Sequence, residues 1–384
     1  MLSRDELAAW LRLATTPGIG RGVARQLLAA LGSAERVLAA DESTLLSLAG
    51  PDVVHTLKRL DPRDQARLDD TCRWLDAAAA DVVRDVVVLG DPRYPVLLLQ
   101  TADPPLLLFT LGRAELLSTP GVAIVGSRSA TPQGMENAWE FAHFLSECQL
   151  TIVSGLAMGI DGAAHEGGLT GPGSTVAFVG TGLDRVYPAG HADLMRRIAE
   201  RGLVASEFPL GASAHPNNFP RRNRLIAGIT HGTLVVEAAV ESGSLITARM
   251  ALEAGREVFA IPGSIHSPQS RGCHRLIQEG AKLVKTGADV LHELRLGLSD
   301  GARHAVLSAS QASLFATAAD HAEDSGGPDS ALRAALGHDP VTFDVLSART
   351  GMPSDQLAAR LLELELAGVV ERLPGGLLQR RGRA

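Results

Sequence analysis

Lysine is almost missing from this chain: of 36 basic residues only Lys58, Lys282 and Lys285 are amines. The remaining positive charge is guanidinium, which suits planar, two-pronged contact with phosphate better than amine chemistry. Cysteine is equally scarce. Cys72, Cys148 and Cys273 lie far apart, with no CxxC and no Cys/His pairing at zinc spacing. The sequence therefore predicts neither a disulfide framework nor a zinc module, and it fits a reducing compartment. No run reaches the ~18 consecutive apolar residues of a membrane span, and the opening MLSRDELAAWL lacks the apolar core of a secretion signal. A soluble, cytoplasmic protein without membrane contact is expected. Positive charge is not in excess either, since 36 basic against 43 acidic residues leave a net charge of −7. That balance excludes a histone-like coat and confines any nucleic-acid contact to a local basic site. Two nucleotide signatures are also missing. The nearest approach to GxGxxG is Gly180-Thr181-Gly182, where Arg185 stands at the third glycine position, and no GK[ST] occurs. NAD use and Walker-type ATP hydrolysis are disfavoured, and no cofactor is expected.

What is present is a globular composition, 45% hydrophobic and 21% charged, over 384 residues. That length predicts two to four domains. Residues 1–78 carry apolar positions at helical spacing, broken by a turn at Thr15 to Gly20, and read as an all-helical domain. From 79 to 297 the pattern changes. Short β-rich runs near Val82 and from Pro104 to Gly112 precede candidate strands at 122–126, 151–155, 175–180, 203–208, 233–238, 257–263 and 281–284. Amphipathic helical stretches separate most of them. Strands apolar on both faces and alternating with helices imply a parallel sheet covered on each side, an α/β, doubly wound, Rossmann-like domain. Residues 298–329 turn to Ala, Ser, Asp and Gly and read as a linker, with a short helix suggested at HAVLSASQASLFATAA. Residues 330–384 give helix, turn, helix and a β-ribbon around Pro374-Gly375-Gly376, the pattern of a winged helix-turn-helix.

An α/β sheet binds ligands beyond the carboxyl ends of its strands, and there this sequence places Gly, Ser, Asn and Arg. Gly126-Ser127-Arg128 follows the first of the longer strands and precedes a helix starting near Thr131 or Pro132. Small residues there let amides approach an anion at the helix N-terminus, with Arg128 as a clamp. Ser154-Gly155 leaves a second strand, and Asp161 and His165 follow at a spacing that puts them on one helix face. Helix capping and an Asp-His hydrogen bond are preferred there to a metal site, because no further ligands are nominated. In HPNNFPRRNRLIAG, read as a loop before an apolar helix, Phe219 precedes Arg221, Arg222, Asn223 and Arg224. A ring beside clustered cations is what single-stranded nucleic acid requires, although a solvated charge cluster with a buried Phe gives the same composition. Glu237 ends another strand, and Ser242-Gly243-Ser244 opens the following helix as an anion-binding candidate or a plain turn.

Taken in order, VAIVGSR, SGLAMGIDGAAH, FPRRNRLIAG, and VVEAAVESGSLITA followed by GREVFAIPG closely resemble the DNA-processing protein A family, also called DprA or Smf. The resemblance covers most of residues 85–295. It implies a Rossmann-like domain that binds single-stranded DNA, forms a homodimer through that domain, and loads the RecA recombinase on incoming strands in natural transformation. By the same resemblance the DNA-binding pocket comprises Gly126, Ser127, Arg128, Ser154, Gly155, Phe219, Arg221, Arg222, Asn223 and Arg224. Ser242, Gly243 and Ser244 are counted with the DNA-binding residues and, with Glu237, order the pocket from behind. The family's pocket usually has lysines nearby, and here arginine must take their place. Family members often add a helical unit similar to a sterile alpha motif, and a winged helix.

Pro17-Gly18-Ile19-Gly20 also resembles a helix-hairpin-helix turn able to offer amides to a duplex phosphate. The flanking units are not notably basic, however. Residues 1–78 hold 10 basic and 11 acidic residues, and 330–384 hold seven arginines and six acids. Arg360 is the one basic residue of the would-be recognition helix, so protein contact or weak backbone binding fits better than sequence reading. No catalytic group and no metal are needed to explain these residues. The rival expectation is a nucleotide-processing enzyme related to the phosphoribohydrolases, whose PGGxGTxxE motif uses a carboxylate in glycosidic cleavage. THGTLVVEAAVESGS keeps Glu237 but lacks the paired glycines. A winged-helix regulator with an α/β sensing core stands beside it.

Overall fold

A computed structural model describes residues 2–59, 61–77, 82–294, 332, 335–336, 340–373 and 375–380. The expected linker and its short helix lie outside the described residues. Six helices open the chain: α1 (Arg4–Thr15), α2 (Arg21–Leu31), α3 (Ala34–Ala39), α4 (Glu42–Leu48), α5 (Pro51–Lys58) and α6 (Pro62–Asp76). Local chemistry sets their ends. Ser3 and Glu6 form a reciprocal capping box at α1, Asp41 caps α4, and Pro begins α5 and α6 where its missing N–H costs nothing.

The central domain begins with β1 (Arg84–Val88), the short α7 (Val96–Leu99) and β2 (Leu107–Gly112). The alternating part follows: β3 (Gly121–Val125), α8 (Pro132–Glu147), β4 (Thr151–Ser154), α9 (Ile160–Gly168), β5 (Thr175–Phe178), α10 (Ala192–Arg201) and β6 (Leu203–Ser206). It continues through α11 (Asn218–Ile229), β7 (Gly232–Val235), α12 (Gly243–Glu253), β8 (Glu257–Ala260), α13 (Arg271–Gln278), β9 (Lys282–Leu283) and α14 (Gly287–Leu294). The strands form one sheet in the order β1-β2-β6-β5-β4-β3-β7-β8-β9. All pairings from β6 to β9 are parallel. β1 and β2 are antiparallel to each other, and β2 is antiparallel to β6.

Alternation along β3 sends Val122 and Ile124 to one face, against Phe141 and Leu145 of α8 and Ile160 of α9. Ala123 and Val125 go to the other, against Leu225 and Ile226 of α11 and Ala248 of α12. Both faces are covered, which is why these strands read as continuous apolar runs. The crossover order reverses between β3 and β7. The chain runs outward from β3 through β4 and β5 on one side, and from β7 through β8 on the other. A crevice opens beside this reversal, beyond the carboxyl ends of β3, β4 and β5.

The helical unit packs on the antiparallel edge. Trp74 of α6 meets Phe109 of β2 edge-on at 6.1 Å, and the Arg84 guanidinium sits 5.6 Å over the Trp74 ring. The carboxyl-terminal unit comprises β10 (Val341–Thr342), α15 (Phe343–Thr350), α16 (Ser354–Leu366), β11 (Val370–Leu373) and β12 (Leu377–Arg380). Its sheet order β10-β12-β11 and its own apolar core around Leu346, Leu357 and Leu361 make it a winged helix. Among the described residues no helix is long and apolar enough to cross a membrane.

Candidate nucleic-acid interface

The crevice is built by the ends of β3, β4 and β5 and the first turns of α11. After β3, Gly126 must lack a side chain, because a Cβ there would meet Ile160 Cγ1 at 2.5 Å and the Glu237 carbonyl oxygen at 2.9 Å. Ser127 is buried, and Arg128 emerges exposed. Its guanidinium lies 5.3 Å over the Phe219 ring and forms no ion pair among the described residues. The helix N-terminus behind this turn is already occupied. Thr131 caps α8, and the Glu237 carboxylate accepts from the Thr131 amide at 2.9 Å and from its hydroxyl at 2.6 Å. The expected anion position at α8 is thus filled by the protein's own carboxylate, which orders the Gly126–Thr131 turn. Burial pushes the Glu237 carboxyl above its usual range, opposed by the two Thr131 bonds. The half-buried Glu237 carboxylate is thus engaged by the first turn of α8.

After β4, the Ser154 hydroxyl donates to the Ile124 carbonyl at 2.6 Å. The following amides turn inward. Asp161 Oδ2 accepts from Gly155 and Ala157 at 3.2 and 3.3 Å, and His165 Nε2 accepts from Leu156 at 3.2 Å. Asp161 and His165 therefore grip the turn separately, rather than forming the expected bond to each other. Their hold keeps Leu156 at φ 58°, the left-handed region that a branched side chain avoids. His165 Nδ1 lies 2.7 Å from Thr175 Oγ1, and burial drives its pKa down to about 3, so the ring is neutral. Among the described residues no group of three or more His, Cys, Asp or Glu is placed to hold a metal.

The FPRRNR segment is helix, not loop, and lies in the first turns of α11. One hundred degrees per residue fans its side chains apart. Phe219 and Arg222, three apart, face the crevice. Arg222 is 3% exposed and donates to the Phe178 carbonyl at 2.8 Å across Gly155, where a Cβ would sit 1.7 Å from its Nη1. Burial lowers its pKa to about 10, with Asp161 opposing, so it stays charged at neutral pH. Burial in turn raises the Asp161 carboxyl, which Arg222 and the amides oppose. Arg221 points the other way, exposed, with its guanidinium 5.3 Å over the Phe208 ring.

Arg224 leaves the crevice altogether. It pairs with Glu207 and donates to the Asp103 carbonyl, in a cluster that also holds Arg21 and Arg25 of α2 on Asp103. Asn223 is half-buried on the same helix. Ser242 caps α12 by accepting from the Ser244 amide at 3.3 Å, and neither serine nor Gly243 lines the cleft.

The cleft itself is lined by Arg128, Gly155, Met158, Tyr187, Phe219 and Arg222, with Leu156, Ala157, Gly180 and Pro188 between them. Tyr187 was not among the expected residues. Its ring lies 5.4 Å from that of Phe219, tilted by 36°. The available signal was positional, an aromatic in GTGLDRVYP just after a strand.

A doubly wound sheet with a cation-and-ring cleft beyond the ends of β3, β4 and β5, flanked by a helical unit and a winged helix, defines an α/β protein with a candidate anion-binding cleft. The family model for DNA recombination-mediator protein A matches residues 85–295, and that for the DprA winged helix domain matches 316–376. The chain is 42% identical to Protein Smf of Escherichia coli over 289 residues, 75% of each chain. It is 50% identical over 203 residues to the DNA processing protein DprA of Streptococcus pneumoniae, 53% of this chain and 72% of that one. The crystal structure of the Streptococcus pneumoniae protein superposes with a TM-score of 0.65 at 37% identity, covering 76% of this chain and 98% of that one. DNA processing protein A from Helicobacter pylori, whose structure was described for its single-stranded DNA binding mode, gives 0.51 at 28% identity over 56% and 98%. The chain belongs to the DNA-processing protein A (DprA/Smf) family and has a role in DNA processing and recombination.

Proposed function

We propose that this protein binds single-stranded DNA across the cleft at the carboxyl ends of β3, β4 and β5, without catalysing a reaction on it. In this role it protects incoming strands in the cytoplasm and loads the RecA recombinase during natural transformation. The observation that carries the proposal is Arg128: an exposed guanidinium just beyond the end of β3, free of ion pairs among the described residues and seated on a ring. Arg221 supplies a second exposed charge one helix face away. Arg222 shapes the floor from beneath, while Gly126, Ser127, Ser154 and Gly155 give the backbone its close approach. A homodimer would hold one strand in two clefts, gaining from effective concentration rather than from new contacts. The helical unit and the winged helix are assigned protein contact or weak duplex binding. In the helical unit, Arg21 and Arg25 are already engaged by Asp103, which leaves less charge for a phosphate.

The test is fluorescence anisotropy with oligothymidylate across a salt series. Each phosphate contact adds about −0.7 to the log-log slope on single strands. Arg128→Ala and Arg221→Ala should each weaken binding and flatten the slope, whereas Phe219→Ala should weaken binding at constant slope. Unchanged affinity in all three would remove the cleft from consideration.

A further inference from the structure

We propose that the exposed face of α8 around Trp139 docks the arginine-rich segment that follows β12 in the same chain, Arg380-Arg381-Gly382-Arg383. Trp139 is 38% exposed, and Met135 one turn before it is 39% exposed. The other two tryptophans are spent on packing. Trp10 is 9% exposed, and Trp74 is half-buried between Phe109 and Arg84. The Trp139 ring, by contrast, is held ready for contact. His143 stacks on it at 5.0 Å and 18°, and His143 Nδ1 lies 2.7 Å from Thr170 Oγ1. Beneath it α9 comes so close that a Cβ on Gly167 would clash with the Trp139 carbonyl oxygen.

The occupant follows from charge. Residues 129–184 contain neither lysine nor arginine, while Glu136, Glu140, Glu147, Asp161, Glu166 and Asp184 are acidic. Glu136 and Glu140 stand one turn apart on α8, three residues before and one after Trp139, and like charges at that spacing repel. Burial, with the Glu136 charge behind it, pushes the Glu140 carboxyl above its usual range, and an added cation would relieve both carboxylates. Arg197 of α10 does not serve, because Glu166 and Asp193 hold it. A phosphate backbone is repelled from this face, whereas a guanidinium gains the carboxylates and the indole ring together. Arg380, Arg381 and Arg383 supply three guanidiniums with no acid among them, beyond the residues 316–376 that match the winged-helix model. The connection is long enough. Residues 295–331 lead on from α14, which packs on α8 where Gly287 meets Phe144, and an extended chain covers up to ~3.5 Å per residue. Joining the two in one chain raises their effective concentration, so a weak contact suffices.

Calorimetric titration with a synthetic peptide of residues 377–384 tests this, using the full chain and a shortened form without residues 381–384. The shortened form should bind the peptide saturably and more weakly as salt rises, and Arg381→Gln with Arg383→Gln in the peptide should abolish that binding. Trp139→Ala and Glu140→Gln in the shortened form should each weaken it about two- to five-fold, while Arg128→Ala in the cleft should leave it unchanged. Glu140→Gln alters an exposed side chain, so it carries the test if Trp139→Ala does not fold. The full chain should bind the peptide more weakly than the shortened form, because its own segment covers the face. Absence of binding to the shortened form would overturn the proposal, as would wild-type binding in Glu140→Gln. Equal binding to the full and shortened forms would overturn it too, and would leave the face to a basic segment of another protein.

Discussion

At the scale of single residues, the crevice depends on buried polar groups that never reach solvent. His165 is the clearest case, because its neutral ring accepts the Leu156 amide in a fully buried position. Its folded pKa of about 3 lies below the ordinary histidine value, so between the two only the unfolded chain binds the proton. The stability this contributes is present above about pH 6.5 and is lost as pH falls toward 3, at up to about 1.4 kcal/mol per pH unit. Urea unfolding of wild type and His165→Gln between pH 7 and pH 4 measures it. The variant should be less stable at pH 7, and its stability should fall less steeply with acid. An identical slope in both proteins would contradict the assignment. None of this was legible in SGLAMGIDGAAH, because helical spacing puts Asp161 and His165 on one face but does not say that both turn toward backbone amides.

At the scale of elements, strands were easier to read than helix starts. GVAIV, TIVS and TVAF are buried on both faces and so leave unbroken apolar runs. The start of α11 was hidden by Pro220, which suggests a loop. The proline stands at the third helical position, where an amide has no partner within the helix and its loss costs little. That misplacement is why five clustered side chains looked like one site when helical rotation divides them between two. The β1–β2 hairpin was legible as two runs, but pairing direction is not written in local pattern. Across elements, Glu237 of the β7 loop is fastened to the first turn of α8. Thr131→Ala removes the cap and one of the bonds that satisfy this half-buried carboxylate, and should cost about 1–2 kcal/mol in thermal or urea unfolding. Single-strand affinity should fall with it, because the Gly126–Thr131 turn carries Arg128.

At the scale of the whole molecule, the cluster of Arg21, Arg25, Asp103, Glu207 and Arg224 joins the helical unit to the central domain. The Glu207 side chain is 5% exposed and that of Arg224 15%, so removing either partner strands a charge in poor solvent. Arg224→Ala should destabilise by about 3–5 kcal/mol, and Arg21→Ala by less because its side chain is 25% exposed. A double-mutant cycle on the two should be non-additive, since both meet Glu207. In oligothymidylate titrations Arg224→Ala should leave the salt slope at the wild-type value, which separates it from Arg128. A flattened slope in Arg224→Ala would return it to the DNA contacts, where the motif first placed it.

The placement of the three lysines has a practical corollary. Lys282 sits on the outermost strand, three pairings from β3, Lys285 lies two residues past that strand's end, and Lys58 closes α5 in the helical unit, so no lysine lines the cleft. Acylating reagents and amine-directed dyes will decorate the protein's periphery and leave the strand-holding surface chemically silent. A fluorescent label can thus be installed without blunting the contacts it is meant to report.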